Sequence, residues 1–176
     1  MLGRIFRWLV TLVVIVAAVV GTLYARRTNP IQFISGRQLT GEVVNEPVSD
    51  WSFAADARTV AVETRPAEPY SVTTWCFVYE GHLYIPASTG SKKTWTQFAS
   101  ADPRIRVKIG DKIYPGLATR VTDPALREPI RQVVLAKYPE AARVSSGDPN
   151  DVWLFRIDSP QSSAGVDAPE VAAGKP

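Results

Sequence analysis

The sequence predicts a small, mainly β protein: an antiparallel barrel with one or two helices, preceded by a single transmembrane helix. Short runs rich in β-branched and aromatic residues recur along the middle of the chain and are separated by turn residues. Two pairs of neighbouring runs join across glycine-containing turns, a pattern typical of hairpins. The N-terminal region contains a long apolar stretch without charges. Closure into a barrel would remove the edges that so many short strands otherwise expose.

Length and composition fit one globular domain with additional segments. The chain has 176 residues, of which 45% are hydrophobic and 21% are charged, and its net charge is +3. Basic and acidic residues are interleaved, so we expect no nucleic-acid partner. Because Cys76 is the single cysteine, an intrachain disulfide is excluded. One cysteine and one histidine, His82, cannot build a structural zinc site, and we expect no metal site.

The first element is a predicted membrane anchor over residues 1–28. The stretch from Trp8 to Ala25 carries no charge, and as a helix it would span roughly 27 Å, close to the thickness of the bilayer core. A cleaved signal peptide is the alternative, but the apolar run is long and no clear small-residue cleavage site follows it. Arginines flank the stretch on both sides in similar numbers, so its orientation stays open, with a cytoplasmic domain slightly favoured over a periplasmic or extracellular one.

The rest of the chain divides into a linker at residues 29–36, a barrel domain at residues 37–160 and a disordered tail at residues 161–176, which lacks large apolar residues. The predicted strands, in order, are LTGEVVN, DWSFAAD, RTVAVETRP, YSVTTWCFVYEG, HLYIPA, RIRVKIG, DKIYPGLATRVT and DVWLFRI. The fourth and fifth runs form a hairpin across Glu80-Gly81. The sixth and seventh form another across Gly110-Asp111.

Two helices are predicted between these strands. Asp123 is suited to cap the longer helix, and Pro124 would occupy the first helical position, where its missing N–H costs nothing. Apolar residues follow at helical spacing, with Pro129 as the point where the helix would kink or start late. A shorter helix is expected over about residues 94–101.

The stretch PASTGSKKTW, residues 86–95, is the main candidate for a binding site. It lies between a predicted strand and a predicted helix, and it contains hydroxyl groups and two adjacent lysines. Backbone amides, hydroxyls, a helix N-terminus and lysine charges together suit a phosphate group. On composition alone, an ordinary solvated turn is the alternative. The sequence contains no P-loop, dinucleotide fingerprint, nucleophile elbow or metal-binding helix motif.

From about residue 58 to residue 138, the order of parts resembles the flavin-binding split-barrel proteins. That group includes the pyridoxamine-phosphate-oxidase-like and the deazaflavin-dependent nitroreductase-like proteins. A strand with bulky residues follows a proline, a glycine turn leads to a Leu-Tyr strand, and the lysine turn, a helix and the run DPRI come next. The resemblance implies a small antiparallel split barrel with Greek-key-like order. It also implies an FMN or deazaflavin (F420) cofactor, an oxidoreductase-like activity on a small molecule and a homodimer.

The resemblance also assigns residues to the cofactor, although it assigns no catalytic residue and no substrate. It implies that the phosphate is held by Ser88, Thr89, Ser91, Lys92 and Lys93, and that the ring lies near Thr73, Thr74 and Trp75. The run after the lysines departs from the family pattern, because it is about one turn longer and has Gln97-Phe98 where the family usually has Asn-Leu. That departure suits the alternative function, a cofactor-free binding or assembly module tethered to the membrane.

Overall fold

The computed structural model describes residues 2–26, 28–31, 34–142, 148 and 151–160; side chains are described for these except residues 2–5, 23–26 and 142. The predicted tail, 161–176, lies outside the described residues. The helices are α1 (Leu2–Arg26), α2 (Thr94–Ala101) and α3 (Arg127–Lys137). The strands are β1 (Glu42–Val43), β2 (Thr59–Thr64), β3 (Tyr70–Trp75), β4 (Phe77–Tyr79), β5 (His82–Ala87), β6 (Arg104–Ile109), β7 (Lys112–Arg120) and β8 (Trp153–Asp158).

The strands form one sheet in the order β3-β2-β6-β7-β8-β5-β4, and the short β1 adds to β7 in parallel. The other pairs are antiparallel, so the predicted mainly β, antiparallel architecture is confirmed. The two ends of this path, β3 and β4, are consecutive in the chain and are separated only by Cys76. The chain itself therefore joins the two ends of this strand path, and the sheet forms a half-barrel.

The core follows from the alternation of side chains along the strands. In β6, Ile105 and Val107 are buried, whereas Arg104, at the start of the strand, is exposed. This period of two turns one face of each strand inward. The largest fully buried side chains of the barrel are Trp51, Phe77, Phe155, Leu83, Ile85, Ile113, Ile157, Val60, Val62 and Val107. Burying one such side chain contributes about 1.5–3 kcal/mol.

One predicted strand is wrong, and another is divided. The run DWSFAAD contains a 3-10 turn at Ser52–Ala54, because Asp50 Oδ1 accepts hydrogen bonds from the Ser52 amide at 2.8 Å and the Ser52 hydroxyl at 2.6 Å. Such local bonds compete with a strand ladder. The run YSVTTWCFVYEG forms both β3 and β4, with the break at Cys76.

The helix after Asp123 starts late, as Pro129 indicated. Asp123 Oδ1 accepts a hydrogen bond from the Ala125 amide at 2.9 Å and caps a 3-10 turn at Pro124–Leu126. Helix α3 then begins at Arg127, which places Pro129 in its first turn. A proline is tolerated there because the first amides of a helix have no partner inside the helix.

Helix α1 is present, but its predicted role as a membrane span is not confirmed. Its described side chains, from Phe6 to Thr22, are all exposed, and many of them are large and apolar. Within the described part of the chain, no helix meets the length and hydropathy required for a membrane crossing.

The segment between α1 and β1 is fastened to the barrel. Gly36 and Ser71 exchange two backbone hydrogen bonds, of 2.8 and 3.1 Å, on the outer edge of β3. Leu39 is buried, and its amide donates to the carboxylate of Glu63. Arg106 donates to the same carboxylate at 2.8 and 2.6 Å. These contacts hold the end of the predicted linker, 29–36, against β3.

Candidate functional site

An open cleft of about 360 Å³ lies between β3 and the start of α2. It is lined by Ile34, Ser35, Tyr70, Val72, Thr73, Thr74, Lys92, Lys93, Thr94 and Trp95. The volume is within the range of small-molecule sites, and apolar walls with a few convergent polar groups are typical of such sites. Three parts of the chain therefore build the cleft: the segment before β1, strand β3 and the turn that leads into α2.

One wall of the cleft is the outer edge of β3. The amide and carbonyl of Ser71 point away from β2, because both bond to Gly36. Backbone direction alternates along a strand, so the amide and carbonyl of Thr73 point the same way. Among the described residues, these two groups of Thr73 have no hydrogen-bond partner. The edge therefore offers one donor and one acceptor beside the cleft.

The pairing stops at Thr73 because the chain folds back on itself. The register of Gly36 with Ser71 would bring Ile34 opposite Thr73. Ile34 instead exchanges backbone hydrogen bonds of 2.7 and 3.0 Å with Ile31. This local bridge leaves the edge of β3 open and places Ile34 in the wall of the cleft.

Another part of the cleft lining is Lys92 together with the first residues of α2, and these residues hold the turn at Gly90–Lys92 in place. The buried hydroxyl of Thr96 lies 2.5 Å from the Gly90 carbonyl oxygen and 2.6 Å from the Lys93 carbonyl oxygen. The side-chain amide of Gln97 donates to the Ser91 carbonyl at 2.9 Å. Gln97 is one of the residues that depart from the family pattern, and here it braces the turn.

Gly90 is required where the turn meets β8. A Cβ atom at this position would lie 2.2 Å from Cγ of Trp153, far inside a normal contact. The Trp153 ring also carries the Arg120 guanidinium, at 3.7 Å from the ring centroid. Trp153 therefore fixes the turn against the barrel through close packing.

The cationic end of the cleft consists of two lysines and a helix N-terminus. Lys93 is the N-cap residue of α2 and its side chain makes no capping bond. The first amides of a helix lack partners inside the helix and carry a partial positive charge. Lys92, Lys93 and Thr94 line the cleft at this point. Such an arrangement suits a phosphate or carboxylate group.

The structure brings together four of the eight residues that the resemblance assigned to a cofactor: Thr73, Thr74, Lys92 and Lys93. The others lie outside the lining. The Trp75 ring stacks on the Tyr138 ring, with centroids 4.6 Å apart. The Thr89 hydroxyl donates to the carbonyl of Ser88 at 2.7 Å. Binding of a cofactor by these residues stays a prediction.

Ser91 already holds an anion, the carboxylate of Asp151. The Ser91 amide donates to Oδ1 at 2.9 Å and the Ser91 hydroxyl donates to Oδ2 at 2.7 Å. These bonds, the side-chain bond first, lower the pKa of Asp151 below its ordinary value. Sequence reasoning missed Asp151, since it lies 60 residues from Ser91 and no local pattern marks it.

Cys76 lies away from this chemistry. Its side chain is fully buried, and its thiol donates to the Ala57 carbonyl at 3.2 Å. Burial raises the thiol pKa to about 11. A buried, protonated thiol is a poor nucleophile. Across the described ranges, no group of three or more His, Cys, Asp or Glu side chains is placed to hold a metal ion.

No family model and no curated protein sequence matches this chain. Solved structures do resemble it. A protein of unknown function from Agrobacterium tumefaciens is 24% identical with a TM-score of 0.48, and the match covers 58% of this chain and 48% of that one. A putative pyridoxamine 5'-phosphate oxidase from Listeria innocua is 18% identical with a TM-score of 0.45, covering 59% and 85%. An F420-H2-dependent reductase is 20% identical with a TM-score of 0.49, covering 58% and 95%.

Two of these neighbours bear names from the two groups that the sequence resemblance named, a pyridoxamine-phosphate oxidase and a deazaflavin-dependent reductase. This chain spans about half of the Agrobacterium protein. At these identities and TM-scores, the likeness concerns the arrangement of the chain. The function is therefore derived below from the geometry of the cleft.

Proposed function

We propose that this chain binds FMN or a deazaflavin in the cleft between β3 and α2 and supports oxidoreductase chemistry on a small molecule. The observation that carries the proposal is that the cleft combines backbone hydrogen-bonding groups in one part of its lining with positive charges in another. One part of the lining offers the amide and carbonyl of Thr73, which have no partner among the described residues, and another part offers Lys92 and Lys93. A flavin or deazaflavin needs both, because an uncharged ring system and an anionic tail lie at opposite ends of it.

The ring end of the cofactor fits the edge of β3. The pyrimidine part of a flavin carries an N–H donor beside carbonyl acceptors, which complements the amide and carbonyl of Thr73. Val72, Tyr70 and Trp95 supply apolar and aromatic surface in the same cleft. The cofactor supplies the hydride chemistry when bound, and these residues bind and orient it.

The tail end fits the lysines. Lys92 and Lys93 provide full charges, and the first turn of α2 provides backbone donors. Charge-assisted bonds of this kind contribute about 1.5–3 kcal/mol each. Substitution of the lysines should therefore change the affinity for ligands that carry the phosphate. The ring is bound mainly by β3.

The decisive experiment measures cofactor binding. The purified protein is expected to show flavin-like absorbance or to take up added FMN or deazaflavin. Replacing both Lys92 and Lys93 with Ala is expected to weaken binding by about 10²- to 10⁴-fold. Lys112→Ala, an exposed lysine at the far end of β7, is the control and should bind as wild type. A protein without such absorbance that takes up neither cofactor would refute the proposal.

A cofactor-free binding module is the second candidate, because Asp151 already occupies the amide and hydroxyl of Ser91. In that case neither cofactor binds, and the same cleft recruits another molecule. Loss of a pull-down partner in the double lysine variant, with no cofactor uptake in the wild type, would favour this candidate.

We also propose that α1 holds the barrel at a membrane, with the barrel on the cytoplasmic side. The exposed apolar side chains of α1 support membrane association, as does its position outside the barrel. Reduced cofactors are available in the cytoplasm, which supports that side. Homodimer formation, expected from the resemblance, is a further proposal; the mass of the purified particle in detergent tests it.

A further inference from the structure

We propose that Asp151 determines which anionic group the cleft accepts: it disfavours a doubly charged terminal phosphate at Ser91 and favours a singly charged phosphodiester. The inference rests on the proposed function, because it concerns the tail of the bound cofactor. It assigns a role to a residue outside the cleft lining.

The first support is the geometry of the Ser91 contact. Its amide and its hydroxyl bond to the two oxygens of one carboxylate, at 2.9 and 2.7 Å. An amide and a hydroxyl directed at neighbouring oxygens are also the donors that a phosphate takes. Ser91 is directly followed by Lys92, which lines the cleft. A phosphate that reached Ser91 would have to displace Asp151.

The second support is how firmly β8 positions Asp151. Trp153 pairs with Ala87 in the antiparallel ladder of β8 and β5. Extending this register places Asp151 opposite Thr89, at the turn. Trp153 also packs against Gly90. Strand pairing therefore positions Asp151 next to Ser91. Because Asp151 belongs to the same chain, it competes with a phosphate for Ser91 at a high effective concentration.

The third support is the charge balance. Lys92, Lys93 and Arg120 surround the turn, and Asp151 offsets one of these charges. A phosphomonoester carries a charge of about −1.5 to −2 at pH 7. A phosphodiester carries a single negative charge. The singly charged group therefore meets less repulsion from Asp151 and can use the lysines without taking Ser91.

The test compares three ligands that share one ring: riboflavin, FMN and the methyl phosphodiester of FMN. Dissociation constants are measured by flavin fluorescence for the full-length wild type and for Asp151→Asn, which keeps an acceptor for the Ser91 amide. The wild type should bind the diester more tightly than FMN. Asp151→Asn should bind FMN about tenfold more tightly than the wild type does, a gain of about 1.4 kcal/mol. Riboflavin affinity should not change.

Two further variants make the result specific. Asp111→Asn removes the same charge just before β7, nine residues and roughly 30 Å along the strand from Arg120, and should leave FMN affinity unchanged. Asp151→Ala frees both donors of Ser91. Provided that its thermal midpoint equals that of the wild type, it should show the same increase in FMN affinity as Asp151→Asn. If the Asn variant folds poorly, the Ala variant decides.

The outcomes separate this inference from the proposed function. If FMN binds wild type and both Asp151 variants equally, the inference is wrong while the cofactor proposal stands. If no flavin binds any variant, the cofactor proposal fails. In that case an NMR titration with inorganic phosphate tests the role of Asp151. Phosphate should shift the Ser91 amide resonance in Asp151→Ala but not in the wild type. Equal responses, or none, overturn the role of Asp151.

Discussion

Tyr138 connects three parts of the chain through one side chain. It is fully buried, its ring stacks on Trp75, and its hydroxyl accepts a hydrogen bond from the Cys76 amide at 3.3 Å. The same hydroxyl lies 2.6 Å from the Arg58 carbonyl oxygen and also contacts the Cys76 carbonyl. Tyr138 therefore satisfies the backbone at the point where β3 ends and β4 begins.

Removing this hydroxyl is expected to weaken the fold. Tyr138→Phe leaves the buried amide of Cys76 without a partner and should lower the free energy of unfolding by about 1–3 kcal/mol. Urea denaturation measures the loss. Tyr114→Phe is the control, since Tyr114 is buried but its hydroxyl bonds to no described residue. Equal stability of the two variants would contradict this role for Tyr138.

Two buried groups predict a loss of stability in alkali. Burial raises the pKa of Cys76 from 9.0 to about 11 and the pKa of Tyr138 from 10.0 to about 12. Well below pH 9 both groups are protonated in the folded and unfolded chains, so their contribution is fully present. Above pH 9 the unfolded chain ionises first, and stability should fall progressively up to about pH 12.

Urea unfolding midpoints between pH 8 and pH 11 test this dependence. A variant carrying both Cys76→Ala and Tyr138→Phe lacks the two groups, so its midpoint should decline less steeply than that of the wild type. Parallel curves for the two proteins would show that other groups control alkaline stability.

At the scale of elements, an ion pair joins β2, β6 and the segment before β1. Glu63 is 5% exposed and Arg106 is 25% exposed, so the pair is largely shielded from water. Arg106 also donates to the Leu39 carbonyl at 3.3 Å, and Leu39 donates back to Glu63. The pair thus positions the chain that leads to Ile34 and Ser35 in the cleft.

Breaking this pair should be costly. Arg106→Met leaves a buried carboxylate without its partner, and we expect a loss of about 3 kcal/mol in the free energy of unfolding. Arg104→Met is the matched control on the same strand, because the Arg104 side chain is 69% exposed and should cost less than about 1 kcal/mol. Adding Glu63→Gln to Arg106→Met should recover part of the loss, and chemical denaturation of the three proteins provides the comparison.

The secondary-structure elements that depend on residues close together in the sequence could be predicted. The two hairpins follow from glycine turns between alternating strands, and α2 follows from its short helical run. The strand predicted around Trp51 failed because Asp50 bonds to Ser52, and side-chain bonds to the backbone are weakly coded by composition. The break at Cys76 was also missed, since it depends on Tyr138, distant in sequence.

The site was predictable only in part, for the same reason. The lysine turn and the threonines of β3 were singled out, and Thr73, Thr74, Lys92 and Lys93 do line the same cleft. Ile34 and Ser35 were assigned to a linker, because their place depends on the bridge between Gly36 and Ser71. Asp151 reaches the turn through the β5–β8 register, which a single sequence does not reveal.

For the whole molecule, α1 and the barrel are expected to be separable. Every described side chain of α1, from Phe6 to Thr22, is exposed, so the barrel core does not depend on them. Deleting residues 1–27 should leave the thermal midpoint of the barrel within a few degrees of the full-length value. It should also move the protein from the membrane pellet to the supernatant, if the proposed membrane association holds.

Circular dichroism of the two proteins measures the thermal midpoint, and carbonate washing of membranes followed by centrifugation measures the partition. A truncated protein that fails to fold would show that α1 contributes to the barrel. A full-length protein that stays in the supernatant would refute the membrane association alone.

Because β3 and β4 are one run interrupted at Cys76, the chain at Trp75 and Cys76 covalently links the two ends of the strand path. A protein rearranged to begin at Cys76 and end at Trp75 would keep every strand pair but would lose this covalent link between β3 and β4. The cleft beside Thr73 would then face a free chain end. This bond is a natural place to install a switch that couples opening of the barrel to loss of its ligand.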